Sequence, residues 1–284
     1  MTMDLRAFDQ FLRRNDDAVL VDVVEARGST PREQGAFMLV SASEILGTIG
    51  GGQLEYLAID AARRLLRDPG SPSRLEVPLG PDIGQCCGGR VALDLRLIGG
   101  SRRDELRRRL SGKQAEMPWV FIMGAGHVGR ALARALAPLP LQTTLVDSRA
   151  ETLGGLPENV RCRFTALPEA EVRKAPPGSA FVVLTHEHAL DFLIAREALA
   201  RGDAAYVGMI GSKSKRASFR SWLRAENAPA GLADYLTCPI GGTKVADKRP
   251  EVIAALAAAE ILVQTARREA SELTGTAADS LGNG

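Results

Sequence analysis

The sequence predicts an α/β protein in two parts, an N-terminal α+β domain followed by a domain with a parallel sheet. Two observations predict this fold class. Strand and helix patterns mix irregularly over the first hundred residues, whereas they alternate regularly from residue 119 onwards. Alternating β-α units are typical of a parallel sheet that is covered by helices on both faces. We place the domains at residues 1–100 and 119–270, with a basic linker at 101–118 and a flexible tail at 271–284.

Hydrophobic spacing indicates the individual elements of the first part. Helices are predicted from the spacing of Leu5, Phe8 and Phe11 and over Gln53–Arg67. Apolar or alternating runs predict four strands, at Ala18–Glu25, Ala36–Val40, Glu44–Ile49 and Arg90–Ile98. The second and third of these strands are close enough in sequence to form a hairpin.

The second part alternates strands with helices. Strands are predicted at Trp119–Met123, Gln142–Val146, Asn159–Phe164, Ala180–Leu184 and Ala204–Met209. Helices are predicted at Val128–Leu136, Glu169–Arg173, Leu190–Ala200 and Arg249–Glu269. Between the two parts, Gly99–Pro118 is rich in arginine, and we interpret it as a solvated linker helix. A docking patch for an acidic partner is the alternative.

Composition excludes several classes of protein. Of the 284 residues 45% are hydrophobic, and 36 Lys and Arg against 34 Asp and Glu leave a net charge of +2. This balance favours neither nucleic acid nor an anionic membrane as a partner, and no apolar stretch reaches the ~18 residues of a membrane span. The first residues lack the pattern of a secretory signal, and four cysteines, two of them adjacent, make a poor disulfide framework. We therefore expect a cytoplasmic protein.

A glycine-rich turn begins the second domain. The strand Trp119–Met123 leads into Gly124, Gly126 and Gly129, and Asp147 ends the next predicted strand. Such glycines let backbone N–H groups approach a phosphate at a helix N-terminus, while the acidic residue accepts hydrogen bonds from ribose hydroxyls. This context predicts a Rossmann-like fold. A fold does not determine its ligand. Three possibilities therefore stay open for the turn, which are that it binds a dinucleotide or nucleotide, that it binds another phosphate, and that it binds no ligand.

Two adjacent cysteines, Cys86 and Cys87, lie among glycines in the segment GPDIGQCCGGRV. Glycines keep a thiol accessible, and an accessible thiolate can ligate a soft metal or carry a sulfur atom. The alternative is a tight turn that happens to contain two small residues. Cys162 lies inside a predicted strand and is interpreted as structural, and Cys238 lies in another glycine loop.

Two further segments of the first domain are candidates for binding an anion. The segment TIGGGQLE is a glycine turn at a predicted helix start, where free N–H groups and the helix dipole favour negative charge. The segment EARGSTPRE follows the end of a strand as a polar loop. The candidate residues are Gly50, Gly51, Gly52 and Gln53 in the turn and Arg27, Ser29 and Thr30 in the loop. A plain strand-to-helix turn is the alternative for the first segment.

Polar residues also follow two strands of the second domain. His186 and His188 come directly after a predicted strand, with Asp191 close behind, and they could bind a metal or move protons. A simple helix start explains the same residues. After the next strand come three cations that can neutralise a phosphate, Lys213, Lys215 and Arg216.

Taken together, these motifs closely resemble the xanthine dehydrogenase accessory protein family (XdhC/CoxI type). The resemblance covers about residues 8–262, and it rests on EARGSTPRE, IGGGQLE, QCCGGRV, GAGHVGRAL with Asp147, THEHALD and YVGMIGSKSKR followed by CPIG.

The resemblance implies a function. It implies a chaperone that binds and protects the molybdenum cofactor, accepts its sulfurated form with a cysteine desulfurase, and delivers it to the molybdenum-binding subunit of xanthine dehydrogenase. It also implies a homodimer that is not itself an enzyme. Cys86 and Cys87 would contact the molybdenum, with the two segments at Arg27–Pro31 and Gly50–Gln53 as neighbours.

Two other functions stay open on the residues alone. One is an NAD(P)-dependent oxidoreductase in which the glycine turn holds the dinucleotide and His186 or His188 serves as acid or base. The other is a nucleotide-sensing module that only binds partners. The sequence contains no catalytic triad, paired-carboxylate signature or Walker loop, which favours the non-catalytic interpretations.

Overall fold

The computed structural model describes residues 3–80 and 88–281, with side chains described up to Arg268 and at Ala270. The chain divides into two compact units, Met1–Glu116 and Met117–Gly284. Each unit is built around one five-stranded sheet.

The first unit is α+β, as the sequence predicts. Its elements are α1 (Leu5–Arg14), β1 (Val19–Arg27), β2 (Phe37–Val40), β3 (Ile45–Gly47), α2 (Gly52–Arg67), β4 (Arg74–Pro78), β5 (Arg90–Leu97) and α3 (Gly100–Glu116). The strands pair in the antiparallel order β3-β2-β1-β5-β4. Sequence analysis missed β4, which is short, carries exposed charged residues and ends in proline. Those features are tolerated because β4 is an edge strand.

The sheet of the first unit has a core on each face because its central strand is apolar on both sides. Val19, Val21 and Val23 of β1 pack with the apolar face of α2. Leu20, from the other side of β1, packs with Phe8 and other residues of α1 and with the leucines of α3. The sheet therefore lies between α2 on one face and α1 with α3 on the other.

The segment predicted as a linker is a helix of the first unit. Leu106 and Leu110 of α3 are buried in the core that α1 also joins. The arginines of α3 bind the same unit, since Arg107 donates to the carboxylate of Asp9 at 2.6 Å and Arg103 donates to the backbone carbonyl of Asp16. The charge run thus attaches α3 to α1 and to the loop that follows it, and these arginines are already bonded rather than available to an acidic partner.

A buried carboxylate joins α3 to the centre of the sheet. Asp22 of β1 is 6% exposed. Arg109 of α3 donates to one of its oxygens at 3.0 Å, and Arg96 of β5 donates to the other at 3.2 Å. Arg109 also donates to the carbonyl of Gly35 at 2.7 Å. One carboxylate therefore connects β1, β5 and α3.

The second unit is a Rossmann-like parallel sheet, which confirms the predicted fold class. Its elements are β6 (Trp119–Met123), α4 (His127–Leu136), β7 (Gln142–Asp147), β8 (Arg161–Phe164), α5 (Pro168–Lys174), β9 (Ala180–Val183), α6 (His188–Ala200), β10 (Tyr206–Met209), α7 (Lys213–Ala225) and α8 (Pro250–Leu281). All strands are parallel, in the order β10-β9-β6-β7-β8. Helix α8 includes much of the segment that the sequence predicted as a tail.

Helices cover both faces of this sheet. Alternate residues of β6 face opposite cores, with Ile122 packed among residues of α4 and α8 and Phe121 packed among residues of α5, α6 and α7. Within the part of the chain that the structure describes, no helix is both long enough and apolar enough to cross a membrane.

The Asp22 pairing can be tested by substitution. Asp22→Ala leaves two arginines without their carboxylate beside the core, and we expect a loss of about 3 kcal/mol in the free energy of unfolding. The expected loss is at the low end of the range for buried pairs because the side chains of Arg109 and Arg96 are 32% and 41% exposed. Asp94→Ala is the control, because the Asp94 carboxylate is one-third exposed and lies as far as 3.7 Å from Arg74 and 4.0 Å from Arg96. We expect it to cost less than about 1 kcal/mol. Equal losses in urea denaturation would contradict the buried role of Asp22.

Candidate functional site

The carboxyl ends of the parallel strands bring several predicted residues to one edge of the second unit. Gly124 follows β6, Asp147 ends β7, Thr185 follows β9 closely, and Gly211 follows β10 closely. In an open parallel sheet this edge forms the ligand crevice, at the point where the strand order reverses. Here that point lies between β6 and β9.

The three glycines of the turn have different roles. A Cβ on Gly124 would lie 2.4 Å from the carbonyl oxygen of Leu184, and one on Gly129 would lie 1.9 Å from the carbonyl oxygen of Gly124. Both glycines are therefore required by close backbone packing. A Cβ added to Gly126 would meet no other atom within 4 Å. Gly126 directly precedes α4, and no side chain caps the first turn of this helix. The N-terminus of α4 consequently stays open.

Asp147 is already bonded within the protein. Its carboxylate accepts hydrogen bonds from the backbone N–H of Ala125 at 2.6 Å and from the Arg149 guanidinium at 3.0 and 3.1 Å. Burial alone raises the pKa of Asp147, but the hydrogen bonds from Arg149 and Ala125 outweigh it and hold the pKa below its ordinary value of 3.8. A ribose hydroxyl would have to compete with these donors. Sequence reasoning missed Arg149, whose position two residues after the acid was the available signal.

The predicted cluster of His186, His188 and Asp191 does not form a common site. Both histidines are exposed at the start of α6, whereas Asp191 is fully buried. Its carboxylate accepts from the backbone N–H and the hydroxyl of Thr185 at 2.8 and 2.7 Å and from Lys215 Nζ at 2.5 Å. Asp191 therefore has a structural role, because it ties the end of β9 to α7. Among the described residues there is no group of three or more His, Cys, Asp or Glu that could hold a metal ion.

The candidate segments of the first unit lie together. Ser29 forms a β-bridge with Gly88. A Cβ on Gly89 would lie 2.4 Å from the carbonyl oxygen of Ser29, and one on Gly50 would lie 2.6 Å from Cβ of Pro31. The loop that contains Arg27, Ser29 and Thr30 is thus held between the glycine turn on one side and Gly88 and Gly89 on the other.

The glycine turn leads into α2 with its N-terminus open but with a carboxylate nearby. Gly51 precedes α2 with φ +78°, and no side chain caps the helix. Gly52 and Gln53 are exposed. Glu55 of the first turn accepts from the backbone N–H of Ile49 at 3.1 Å. Its negative charge already compensates part of the helix dipole, which makes this end less favourable for a phosphate than the sequence alone suggests.

The structure describes two of the four cysteines, Cys162 and Cys238. Cys86 and Cys87 lie outside the described residues. The two ends of that segment meet, since Gly88 N–H donates to the carbonyl of Leu79 and Leu79 N–H donates to the carbonyl of Gly89, each at 2.7 Å. Cys162, interpreted from sequence as structural, is exposed on the edge strand β8, and Cys238 is buried. Burial raises the pKa of the Cys238 thiol, although the charges of Lys215 and Arg216 oppose this.

Comparison with protein families agrees with this geometry. A family model described as the XdhC Rossmann domain matches residues 120–261, and one described as the XdhC and CoxI family matches residues 11–77. The chain belongs to the XdhC and CoxI family.

Individual relatives show how far the likeness extends. The uncharacterized protein YqeB of Escherichia coli K12 is 28% identical over 261 residues, which are 88% of this chain and 44% of YqeB. The chain thus spans less than half the length of this curated relative. A Bacillus halodurans crystal structure described as a xanthine dehydrogenase superposes with a TM-score of 0.76 at 18% identity, covering 94% of this chain and 96% of that one. At this identity the likeness shows a shared fold.

The glycine turn of this XdhC and CoxI family member yields a matched pair of substitutions. We expect Gly129→Ala to lower the free energy of unfolding by about 3 kcal/mol, because the new Cβ overlaps the carbonyl of Gly124. Gly126→Ala meets open space, and we expect it to cost no more than about 1 kcal/mol as a poorer helix cap. Denaturation of both variants measures the difference, and similar costs would contradict the packing role of Gly129.

The Asp147 hydrogen bonds predict a pH dependence. Because the folded pKa is lowered, the carboxylate contributes stability above its unfolded pKa, and this contribution is lost as the pH falls through the folded pKa. We therefore expect Asp147→Asn to destabilise the protein at neutral pH and to do so less below about pH 4. Urea denaturation of wild type and variant across this range tests the sign. A difference that is independent of pH would contradict it.

Proposed function

We propose that this protein carries the molybdenum cofactor, protects it and delivers it to the molybdenum-binding subunit of xanthine dehydrogenase. One observation supports this most. In the first unit, the loop with Arg27, Ser29 and Thr30 packs against the Gly50 turn and against Gly88 and Gly89, which follow Cys87 directly in the sequence. Segments that are far apart in sequence thereby meet at one place.

The chemistry of these segments fits that cargo. The cofactor is a pterin with a molybdenum bound through a dithiolene and with a terminal phosphate. Thiolates are soft ligands suited to such a metal centre, and we assign Cys86 and Cys87 to it on the sequence, since they lie outside the described residues. Glycines at Gly50, Gly51 and Gly52 let a planar ring approach the backbone closely.

The polar groups of the turn suit the pterin ring better than its phosphate. Ser29, Gly52 and Gln53 are exposed and offer donors and acceptors, while the carboxylate of Glu55 at the first turn of α2 would repel a phosphate. We therefore infer that the turn at Gly50–Gln53 binds the N–H-bearing edge of the pterin.

Partners and assembly follow from the same proposal. We infer that a cysteine desulfurase supplies the sulfur of the sulfurated cofactor and that the protein acts as a homodimer without catalysing a reaction itself. Light scattering on the purified protein measures its mass in solution, for which we expect twice the chain mass of 30.3 kDa.

The cofactor role is tested by the pterin content of protein purified from cells that make the cofactor. We expect wild type to carry a pterin, detected by fluorescence after release, and Cys86→Ala/Cys87→Ala to lose most of it. Cys162→Ala is the matched control, because its thiol is exposed on β8 in the second unit, and we expect it to keep the wild-type amount. Equal pterin in wild type and the double variant would refute the thiol role.

An NAD(P)-dependent oxidoreductase is the second candidate. The strand order and the open N-terminus of α4 favour this function. Two observations oppose it, since Asp147 is already paired with Arg149, and the two histidines are exposed whereas Asp191 is buried. Titration with NADH distinguishes the two. Binding that quenches NADH fluorescence and that Gly126→Arg abolishes would support the oxidoreductase, and absence of binding to NADH and NADPH would exclude it.

A further inference from the structure

A cavity lies in the second unit, beside β10 and the start of α7. Its volume is about 550 Å³, within the range of small-molecule sites. Its lining includes Lys213, Arg216, Asp234, Cys238, Thr243 and Glu260. The glycine turn at 124–129 contributes none of the lining residues, so this cavity is separate from the crevice at the strand reversal.

The three cations that follow β10 in sequence have different roles in the structure. Lys215 is buried and paired with Asp191 at 2.5 Å, which removes it from ligand binding. Lys213 is exposed, and Arg216 is half-buried, and both face the cavity. Within the described part of the chain neither side chain makes an ion pair, and Arg216 Nε is buried without a hydrogen-bond partner. A buried donor without an acceptor is costly unless a ligand supplies one.

The acidic residues of the lining are already bonded. The Asp234 carboxylate pairs with Arg220 at 2.7 Å. Glu260 accepts from the hydroxyl of Tyr206 and from the backbone N–H of Gly241, both at 2.9 Å. Because Arg220 neutralises Asp234, Glu260 is the acidic lining residue that offsets Lys213 and Arg216, and it balances only one of these two positive charges. The N-terminus of the 13-residue helix α7 adds positive potential at the same end. The cavity is therefore suited to an anion.

We propose that this cavity binds the phosphate monoester of a small molecule, with Lys213 and Arg216 as its cationic ligands. A guanidinium with a free Nε–H matches phosphate oxygens in geometry, and the volume leaves room for the organic part of the ligand. The proposal does not depend on the carrier function. The phosphate could belong to a free nucleotide or to the pterin cofactor, and the experiment below separates these sources.

The probes are inorganic phosphate, AMP and adenosine, titrated calorimetrically into the full-length protein. We expect AMP and phosphate to bind and adenosine to bind at least tenfold more weakly than AMP. In Lys213→Ala/Arg216→Ala we expect the AMP affinity to fall at least tenfold. Arg224→Ala removes one charge from the last turn of the same helix, and we expect its affinity to stay within twofold of wild type.

Several results would overturn the proposal. They are the absence of both phosphate and AMP binding to wild type, equal binding of AMP and adenosine, and unchanged AMP affinity in the double variant. Lys213→Ala alone, at an exposed position, serves as a second variant if the double variant unfolds, and we expect it to weaken AMP binding at least threefold.

The pterin content of the double variant identifies the source of the phosphate. If AMP affinity falls and pterin content falls with it, the site holds the phosphate of the carried cofactor. If AMP affinity falls and pterin content is unchanged, the site serves a separate nucleotide-like ligand. Both results support the phosphate site. A wild type without pterin would count against the carrier function and leave the AMP result to decide this site.

Discussion

The second unit depends on a close approach between two backbones, at the point where the turn after β6 meets the end of β9. Leu184 donates its N–H to Met123 at 2.9 Å, and its carbonyl oxygen occupies the space that a Cβ on Gly124 would need. Any side chain there would push β9 away from β6. Asp147 and Asp191 lie on either side of this strand reversal.

Buried carboxylates fasten elements together in each of the two units. Asp22, Asp147 and Asp191 are each at most 6% exposed. Asp22 is paired with both Arg109 and Arg96. Asp147 is paired with Arg149, and Asp191 is paired with Lys215. A buried carboxylate without such a partner would be strongly destabilising. Four cations are thereby used within the protein, and one of them, Lys215, is among the three that the sequence offered to a phosphate.

The two units then contribute different chemistry. In the first unit, loops from separate parts of the chain meet around glycines that permit close approach, which supports the proposed cofactor site. In the second unit, the glycine turn retains an open helix N-terminus although its acidic residue is occupied by Arg149. Lys213 and Arg216 provide the positive charge of a separate cavity. Family membership assigns both units to one XdhC and CoxI protein, while the ligands and the partner are proposals.

The sequence by itself determined the fold class and most of the elements, although not β4, because hydrophobic periodicity is a local property. The strand predicted at Trp119–Met123 has the same limits in the structure. The alternation of strands and helices predicted the parallel sheet, and the glycine turn predicted the Rossmann-like fold. Only the tertiary structure decided which charges pair, since Asp22 and Arg109 are 87 positions apart and Asp191 and Lys215 are 24 apart. A local pattern cannot choose among many acids and bases, and burial decides which pairs are kept from water. For the same reason the arginine-rich segment became α3, a packed helix of the first unit, instead of a linker.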